Sequence, residues 1–238
     1  EQHTVEELLK GVIMASANDG AVALAEHLSG SVEEFVDDMN AKAAEMGLKN
    51  SHFVNTNGLP VAKHYSCAYD IGMICRQLMT YEFARDWFTA WQEDIKVGLP
   101  GKEKDFTLTN TNKMIRTYKG AIGGKTGFTQ DAGYCLAEAA QRDSTRMIAV
   151  VLGCKDSKVR FAETARLLDH GFASYETVPV AKKGQKLRTI TLPKSDQQEV
   201  AAVPEETIAA TVKKGKKANI TKKISIDKSV ACPVKKGE

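Results

Sequence analysis

The chain has 238 residues, enough for one large domain or two smaller ones, and its 42% hydrophobic and 26% charged content is ordinary for a soluble globular protein. No apolar run approaches the length of a membrane span, and no signal peptide is visible. Five cysteines (Cys67, Cys75, Cys135, Cys154 and Cys232) have neither the pairing of a disulfide scaffold nor the spacing of a metal site, and are read as small buried apolar side chains.

Net charge is +3 but unevenly spread. From Glu176 onward fourteen Lys/Arg face seven Asp/Glu, a balance of +7 that leaves −4 for the first 175 residues. No Phe, Tyr or Trp follows Tyr175. A domain boundary is therefore expected there, giving domains 1–175 and 176–238. A basic tail without aromatics lacks the stacking surface of a nucleic-acid binder, so no nucleic acid is expected as a partner.

In chain order, Thr4 and Glu7 form a capping-box pattern ahead of Leu8, Leu9 and Val12-Ile13. Asn18-Asp19 interrupts, and a helical pattern resumes from Ala21 to Leu28. Ser31 with Glu34 is a second capping box. Phe35, Val36, Met39, Ala43 and Met46 follow at helical spacing and are expected in the core, with Gly47 as the stop. Glu33-Glu34 and Asp37-Asp38 read as a solvated face. Residues 48–66 read as an irregular loop. Ile71, Ile74, Cys75 and Leu78 mark another helix, and Phe83 to Trp91 one more. Gly98-Leu99-Pro100-Gly101 is a turn.

Residues 121–129, 133–140 and 146–153 read as three strands with tight links, hence antiparallel. Residues 157–173 return to helix, with Phe161, Ala165, Leu168 and Phe172 on one face. In the tail, Thr189 to Leu192 and Ile220 to Ile226 alternate as strands do. Lys-Lys-Gly recurs at Lys182, Lys213 and Lys235, each suited to a turn. Segregated helix and strand runs predict an α+β domain followed by a small all-β domain.

The most informative stretch is Gly123-Gly124-Lys125-Thr126-Gly127-Phe128-Thr129. A lysine offers charge to an anion, a threonine adds a hydroxyl, and glycines let a ligand approach the backbone. A phosphate-binding P-loop would need glycine at position 119, where Lys119 stands, and a helix after the lysine, where strand pattern follows. The other family that uses these words combines Lys-Thr-Gly with an upstream Ser-x-Asn, supplied here by Ser16-Ala17-Asn18.

The words around both triplets agree. Met14 to Glu26, His52-Phe53-Val54-Asn55 with Gly58-Leu59-Pro60, His64-Tyr65-Ser66, Ala121-Ile122-Gly123, Ala132-Gly133-Tyr134 and Met147 to Gly153 resemble the penicillin-binding serine D-alanyl-D-alanine carboxypeptidases, the low-molecular-mass penicillin-binding proteins of peptidase family S11. The resemblance runs through most of residues 1–175. It implies a β-lactamase/transpeptidase-like α+β domain and a C-terminal β domain.

One departure stands out. The family's nucleophile lies in a Ser-x-x-Lys upstream of Ser-x-Asn. No serine precedes Ser16, and the only Ser-x-x-Lys is Ser225-Ile226-Asp227-Lys228, in the tail. The chain is thus expected to be the C-terminal portion of such an enzyme, lacking its N-terminal segment. A separate N-terminal polypeptide is expected to complete the domain, which would otherwise leave a strand edge and apolar surface bare.

The resemblance implies roles for six residues. Lys125 attracts the substrate carboxylate and holds the Ser16 proton in play. Thr126 hydrogen-bonds the carboxylate. Gly127 keeps the strand surface bare, and the Phe128 N–H is an oxyanion donor. Ser16 relays a proton to the leaving D-alanine, and Asn18 binds the peptide amide. Implied partners are peptidoglycan stem peptides ending in D-Ala-D-Ala and β-lactam antibiotics. Action is on the envelope side of the bacterial plasma membrane, and no cofactor is needed. His3, His27, His52, His64 and His170 show no ligand spacing, and His64 near the cleft rim is read as structural. Two rivals remain. A class A β-lactamase would need a deacylating glutamate between the triplets, where Glu82 and Glu93 sit in helix-like surroundings. A non-catalytic wall-binding or scaffold protein would fit the missing nucleophile directly.

Overall fold

The computed structural model describes residues 1–191, 199–215 and 220–225. Helix α1 (Val5–Lys10) opens on the expected capping box. The Glu7 amide donates to Thr4 Oγ1 at 3.1 Å, and the Thr4 amide donates to Glu7 Oε2 at 2.8 Å. The helix then widens into a π-helical turn, Gly11–Ala15, that ends at Ser16. Helix α2 (Asn18–Ser29) starts at once, so Asn18-Asp19 form its first turn. The expected break is displaced to Ser16-Ala17, because Asp19 is favourable at a helix N-terminus.

Helix α3 (Val32–Glu45) is capped by Ser31, whose Oγ accepts from the Glu34 amide at 3.1 Å. Glu33, Glu34, Asp37 and Asp38 are exposed, as expected. The apolar face departs from expectation. Only Ala43 in this helix is buried, while Phe35, Met39 and Met46 are half-buried and line an open groove.

The irregular segment 48–66 has one bridge, His52 to Tyr65. It is pinned by Asp70, 1% exposed, whose carboxylate accepts from the Asn50 amide and the Ser51 hydroxyl at 2.8 Å each. Asp70 sits in the first turn of α4 (Ala68–Leu78), and α5 (Glu82–Thr89) follows. That helix stops short of Trp91, because an antiparallel hairpin of β1 (Gln92–Val97) and β2 (Lys104–Thr109) begins at the next residue. The sequence reading placed the turn at its tip but not the strands. Along β1 the alternation runs only between exposed and half-buried residues, a weak period-two signal. Glu93 therefore lies on a strand, paired with Lys10 at 3.3 Å, rather than in helix.

After a short helix α6 (Met114–Thr117) come β3 (Ala121–Thr129), β4 (Gly133–Arg142) and β5 (Thr145–Cys154), in spatial order β3-β4-β5. Strand β3 is therefore an edge of this sheet. Its register with β4 pairs Gly124 with Glu138, Lys125 with Ala137, Thr126 with Leu136 and Gly127 with Cys135. Cys75 of α4, Met79 just after it, Ala84 and Phe88 of α5, and Ala137 and Ala139 of β4 form one buried cluster. Two glycines permit this packing. A Cβ on Gly123, at φ 121°, would strike the Phe88 side chain, and one on Gly124 would strike the Ala137 carbonyl.

Helix α7 (Ser157–Ser174) buries Arg160, Thr164, Leu168 and Phe172, spaced by four. Phe161 and Ala165, expected on that face, are only half-buried. Of the described cysteines only Cys75 is buried, and burial pushes its thiol up to about 12; Cys67, Cys135 and Cys154 are free and half-buried, which corrects the reading of all as core. Cys232 lies outside the described residues.

The chain divides into two compact units, Glu1–Arg142 with Arg146–Gly171, and Asp143–Thr145 with Phe172–Glu238. In the second, β6 (Tyr175–Ala181) pairs antiparallel with β9 (Ile208–Lys213), and β7 (Arg188–Thr191) with β8 (Glu199–Ala202). Gly184 and Gly215 close the first two Lys-Lys-Gly sequences at positive φ, 72° and 69°. Residues 220–225 form no strand, contrary to expectation. Leu192, Ile226 to Lys228 and the third Lys-Lys-Gly lie outside the described residues.

One buried acid stands in the sheet. Glu138 is fully buried; its Oε2 accepts from Asn112 Nδ2 at 2.6 Å, and its Oε1 has no partner among the described residues. Burial raises its carboxyl from the ordinary 4.5 to about 7, opposed by the Asn112 bond. The folded protein thus holds a proton that the unfolded chain has released, and stability falls as pH rises between those values. Glu138→Gln should remove this dependence, so that its urea midpoint relative to wild type is higher at pH 8 than at pH 5; equal differences would contradict it. Gly124→Ala should lower stability by about 2 kcal/mol through overpacking, read from denaturant melts.

Candidate active site

Ser16 is placed by an unusual backbone. It ends the π-helical turn in the left-handed conformation, φ 59° and ψ 44°. A non-glycine residue there costs roughly 1–3 kcal/mol. Neighbouring bonds hold it. Met14 is fully buried, and its carbonyl accepts from the Thr111 amide at 3.0 Å; the Ala17 amide donates to Gly11 O at 3.1 Å. The Ser16 side chain is left at the surface.

Lys125 reaches Ser16 from β3. Its Nζ donates to Ser16 Oγ and, at 2.9 Å, to the Thr126 carbonyl. Loss of water around the half-buried amine, together with the positive charge of Arg160, lowers its pKa from 10.5 to about 8. Thr126 is 7% exposed, and its Oγ1 lies 2.6 Å from Thr111 Oγ1. Gly127 is exposed, and a side chain there would meet nothing closer than Cys135 Cβ at 3.9 Å. That strand surface is bare. Phe128 is 55% exposed and its ring packs at a tilt against that of Tyr134, with centroids 4.2 Å apart.

Four of the six expected residues are thus contiguous on one edge strand, and Ser16 joins them through Lys125. Asn18 does not join by any bond. It is exposed in the first turn of α2, and its side chain makes no hydrogen bond among the described residues. His64 has the structural role expected: its Nδ1 accepts from the Val54 amide at 3.2 Å, and burial lowers its pKa.

Two residues escaped the sequence reading. Arg160 is 6% exposed, and its Nη1 donates to the carbonyls of Gly127 and Cys135 at 3.2 Å each. It lies over the rings of Tyr134 and Phe161 and makes no ion pair among the described residues. An arginine at the same four-residue spacing as Thr164, Leu168 and Phe172 was the available signal. Thr111 is the other, and its only signal was a place between two asparagines.

A groove of about 810 Å³ opens beside Lys125, Thr126 and Gly127. Its walls are apolar, with Phe35, Met39, Met46, Ile74 and Leu78 among them. An amine near neutrality beside a hydroxyl can pass a proton, and in its charged form can hold an anion. Arg160 adds a permanent charge behind the strand. No cluster of metal-binding side chains occurs among the described residues. In reductively methylated protein, one lysine signal should titrate near pH 8 by NMR and vanish in Lys125→Arg; if every lysine titrates near its ordinary value, the site lacks this property.

Comparison with known proteins accords with this geometry. Residues 1–156 match the family model of D-alanyl-D-alanine carboxypeptidase, and residues 175–238 match that of the penicillin-binding protein 5 C-terminal domain. The chain is 39% identical over 239 residues to the D-alanyl-D-alanine carboxypeptidase DacF of Bacillus subtilis, covering 100% of this chain and 61% of that protein. It is 31% identical over 245 residues to DacC of Escherichia coli, covering 100% and 58%. The chain therefore spans about three fifths of the length of these relatives. Penicillin-binding protein 5 of Haemophilus influenzae superposes with TM-score 0.74 at 31% identity, over 90% of this chain and 61% of that one. A Streptomyces K15 DD-transpeptidase variant gives 0.69 at 32% identity, over 71% and 68%. These neighbours share the mixed helix-and-sheet fold, and the chain belongs to the peptidase S11 family of D-alanyl-D-alanine carboxypeptidases.

Proposed function

We propose that this chain forms the proton-relay and carboxylate-binding half of a serine D-Ala-D-Ala carboxypeptidase acting on peptidoglycan stem peptides outside the cytoplasmic membrane. The single observation that carries the reading is the meeting of Lys125 and Ser16 beside a bare, glycine-bearing strand. The domains of the working enzyme are residues 1–175, completed by a further segment, and the basic β domain 176–238.

Catalysis proceeds by acyl transfer. A serine hydroxyl attacks the carbonyl of the penultimate D-alanine, and the peptide C–N bond breaks. The leaving amine takes a proton relayed through Ser16. Water then hydrolyses the ester. Lys125 and Thr126 hold the terminal carboxylate, Gly127 lets the peptide lie along β3, and the Phe128 amide steadies the oxyanion. Asn18 binds the peptide amide when substrate is present. A β-lactam follows the same first step.

The attacking serine and its lysine come from outside these 238 residues, whose only Ser-x-x-Lys follows Lys125 by a hundred residues. The apolar groove beside Lys125 supports this. A completing segment packed on the apolar wall of that groove would bury Phe35, Met39 and Met46, which are left half-exposed, and leave its Lys125–Gly127 edge open to the peptide.

Fluorescent penicillin with intact-mass analysis of every polypeptide present tests the reading. Label is expected on the segment carrying Ser-x-x-Lys. Ser16→Ala and Lys125→Ala should each slow labelling about a hundredfold. A preparation that contains the segment and takes no label would favour a non-catalytic wall-binding role instead.

A further inference from the structure

Resting on the D-Ala-D-Ala reading of the groove, we propose that Thr111 is a positioning residue that turns the Thr126 hydroxyl proton toward the substrate carboxylate. The segment Asn110-Thr111-Asn112 follows β2, and each residue ties down a different element. Asn110 Nδ2 donates to the carbonyls of Phe88 at 3.2 Å and Ala90 at 3.0 Å, at the end of α5. Asn112 Nδ2 donates to Glu138 on β4, and its Oδ1 accepts from the Met114 amide at 3.1 Å. Asn110 and Asn112 are 2% and 1% exposed. The Thr111 amide is used on Met14, below Ser16. With both neighbours and its own backbone anchored, Thr111 has little freedom beyond its side chain.

That side chain is exposed, and its hydroxyl touches Thr126 at 2.6 Å, a short distance for two hydroxyls. One proton lies between the two oxygens. If Thr126 donates it, Thr126 presents lone pairs to the groove and repels an arriving carboxylate. If Thr111 donates it, the Thr126 proton is free to meet that carboxylate. Binding of an anion therefore selects Thr111 as donor, and a hydroxyl bonded in this way is also the stronger donor. Thr111 acts through Thr126 and need not touch the ligand. The fold does not require its hydroxyl, since Asn110, Asn112 and the Thr111 amide already make the structural bonds.

Thr111→Val keeps the shape and the amide and removes the hydroxyl; Thr111→Ala is a second hydroxyl-free variant should the first fold poorly. Binding is measured by calorimetry on the complete protein with its attacking serine replaced by alanine, so that the peptide is not turned over, using an N-acetylated peptide ending in D-Ala-D-Ala and its C-terminal carboxamide. The carboxamide can donate to Thr126, so it does not depend on the direction of that proton. Loss of the hydroxyl should weaken the acid peptide about fivefold to tenfold and the amide less than about twofold, and Thr111→Ser should recover the acid peptide. An unchanged acid affinity, an equal loss for both peptides, or no recovery in serine overturns the assignment while leaving the groove reading intact. If the protein with Thr111 intact binds neither peptide, the reading of the groove fails and this inference falls with it.

Discussion

The fold converges on a half-buried lysine that reaches a serine hydroxyl at the surface. In the proposed reading two demands meet at Lys125. Attracting a carboxylate favours the ammonium, whereas moving a proton favours the neutral amine. Burial brings the two forms close to balance, with the pKa near 8. Arg160 carries a charge that does not titrate near neutrality, so the site stays cationic when Lys125 is neutral. An arginine with no carboxylate partner among the described residues is costly in a stable core and useful behind an anion site.

That arrangement depends on crowding. Strand β3 lies against Phe88 and β4 only because residues 123 and 124 have no side chains. On the opposite side, the π-helical turn and the left-handed Ser16 lift a hydroxyl toward the strand. Strain at Ser16 is offset by a buried Met14 and by the bond from Thr111. The same polar segment reaches α5, β4 and Thr126, so the two arms of the site share one set of anchors. The wide apolar groove is the counterpart of this order. Helix α3 presents Phe35, Met39 and Met46 to it as half-buried surface, which explains why a helical hydrophobic stripe that reads as core is not closed over here.

Much of this was legible in the sequence where the physics is local. Thr4 and Glu7 satisfy each other's amides within one turn, so four residues suffice to announce α1. The glycines around Lys125-Thr126 announce a bare strand for the same reason. The β1–β2 hairpin was not legible, because its alternation is shallow and a strand's partner can lie anywhere. Arg160 was hidden because arginine on a helix ordinarily faces solvent, and only the carbonyls of Gly127 and Cys135 draw it inward. Asn18 shows the limit of a motif: its triplet is intact, yet its side chain bonds to nothing described.

By itself the sequence determined the residue types of the chemistry, the family, and the helices and strands whose signals lie within a few positions. Only the tertiary structure decided that Ser16 and Lys125, 109 residues apart, share a hydrogen bond, that Thr111 and Arg160 stand beside them, and that α3 faces a groove instead of a core. The physical reason is one of range. Caps, turns and glycine clearances act over single turns of chain, whereas desolvation of an amine and the pairing of two hydroxyls exist only when distant segments exclude water together.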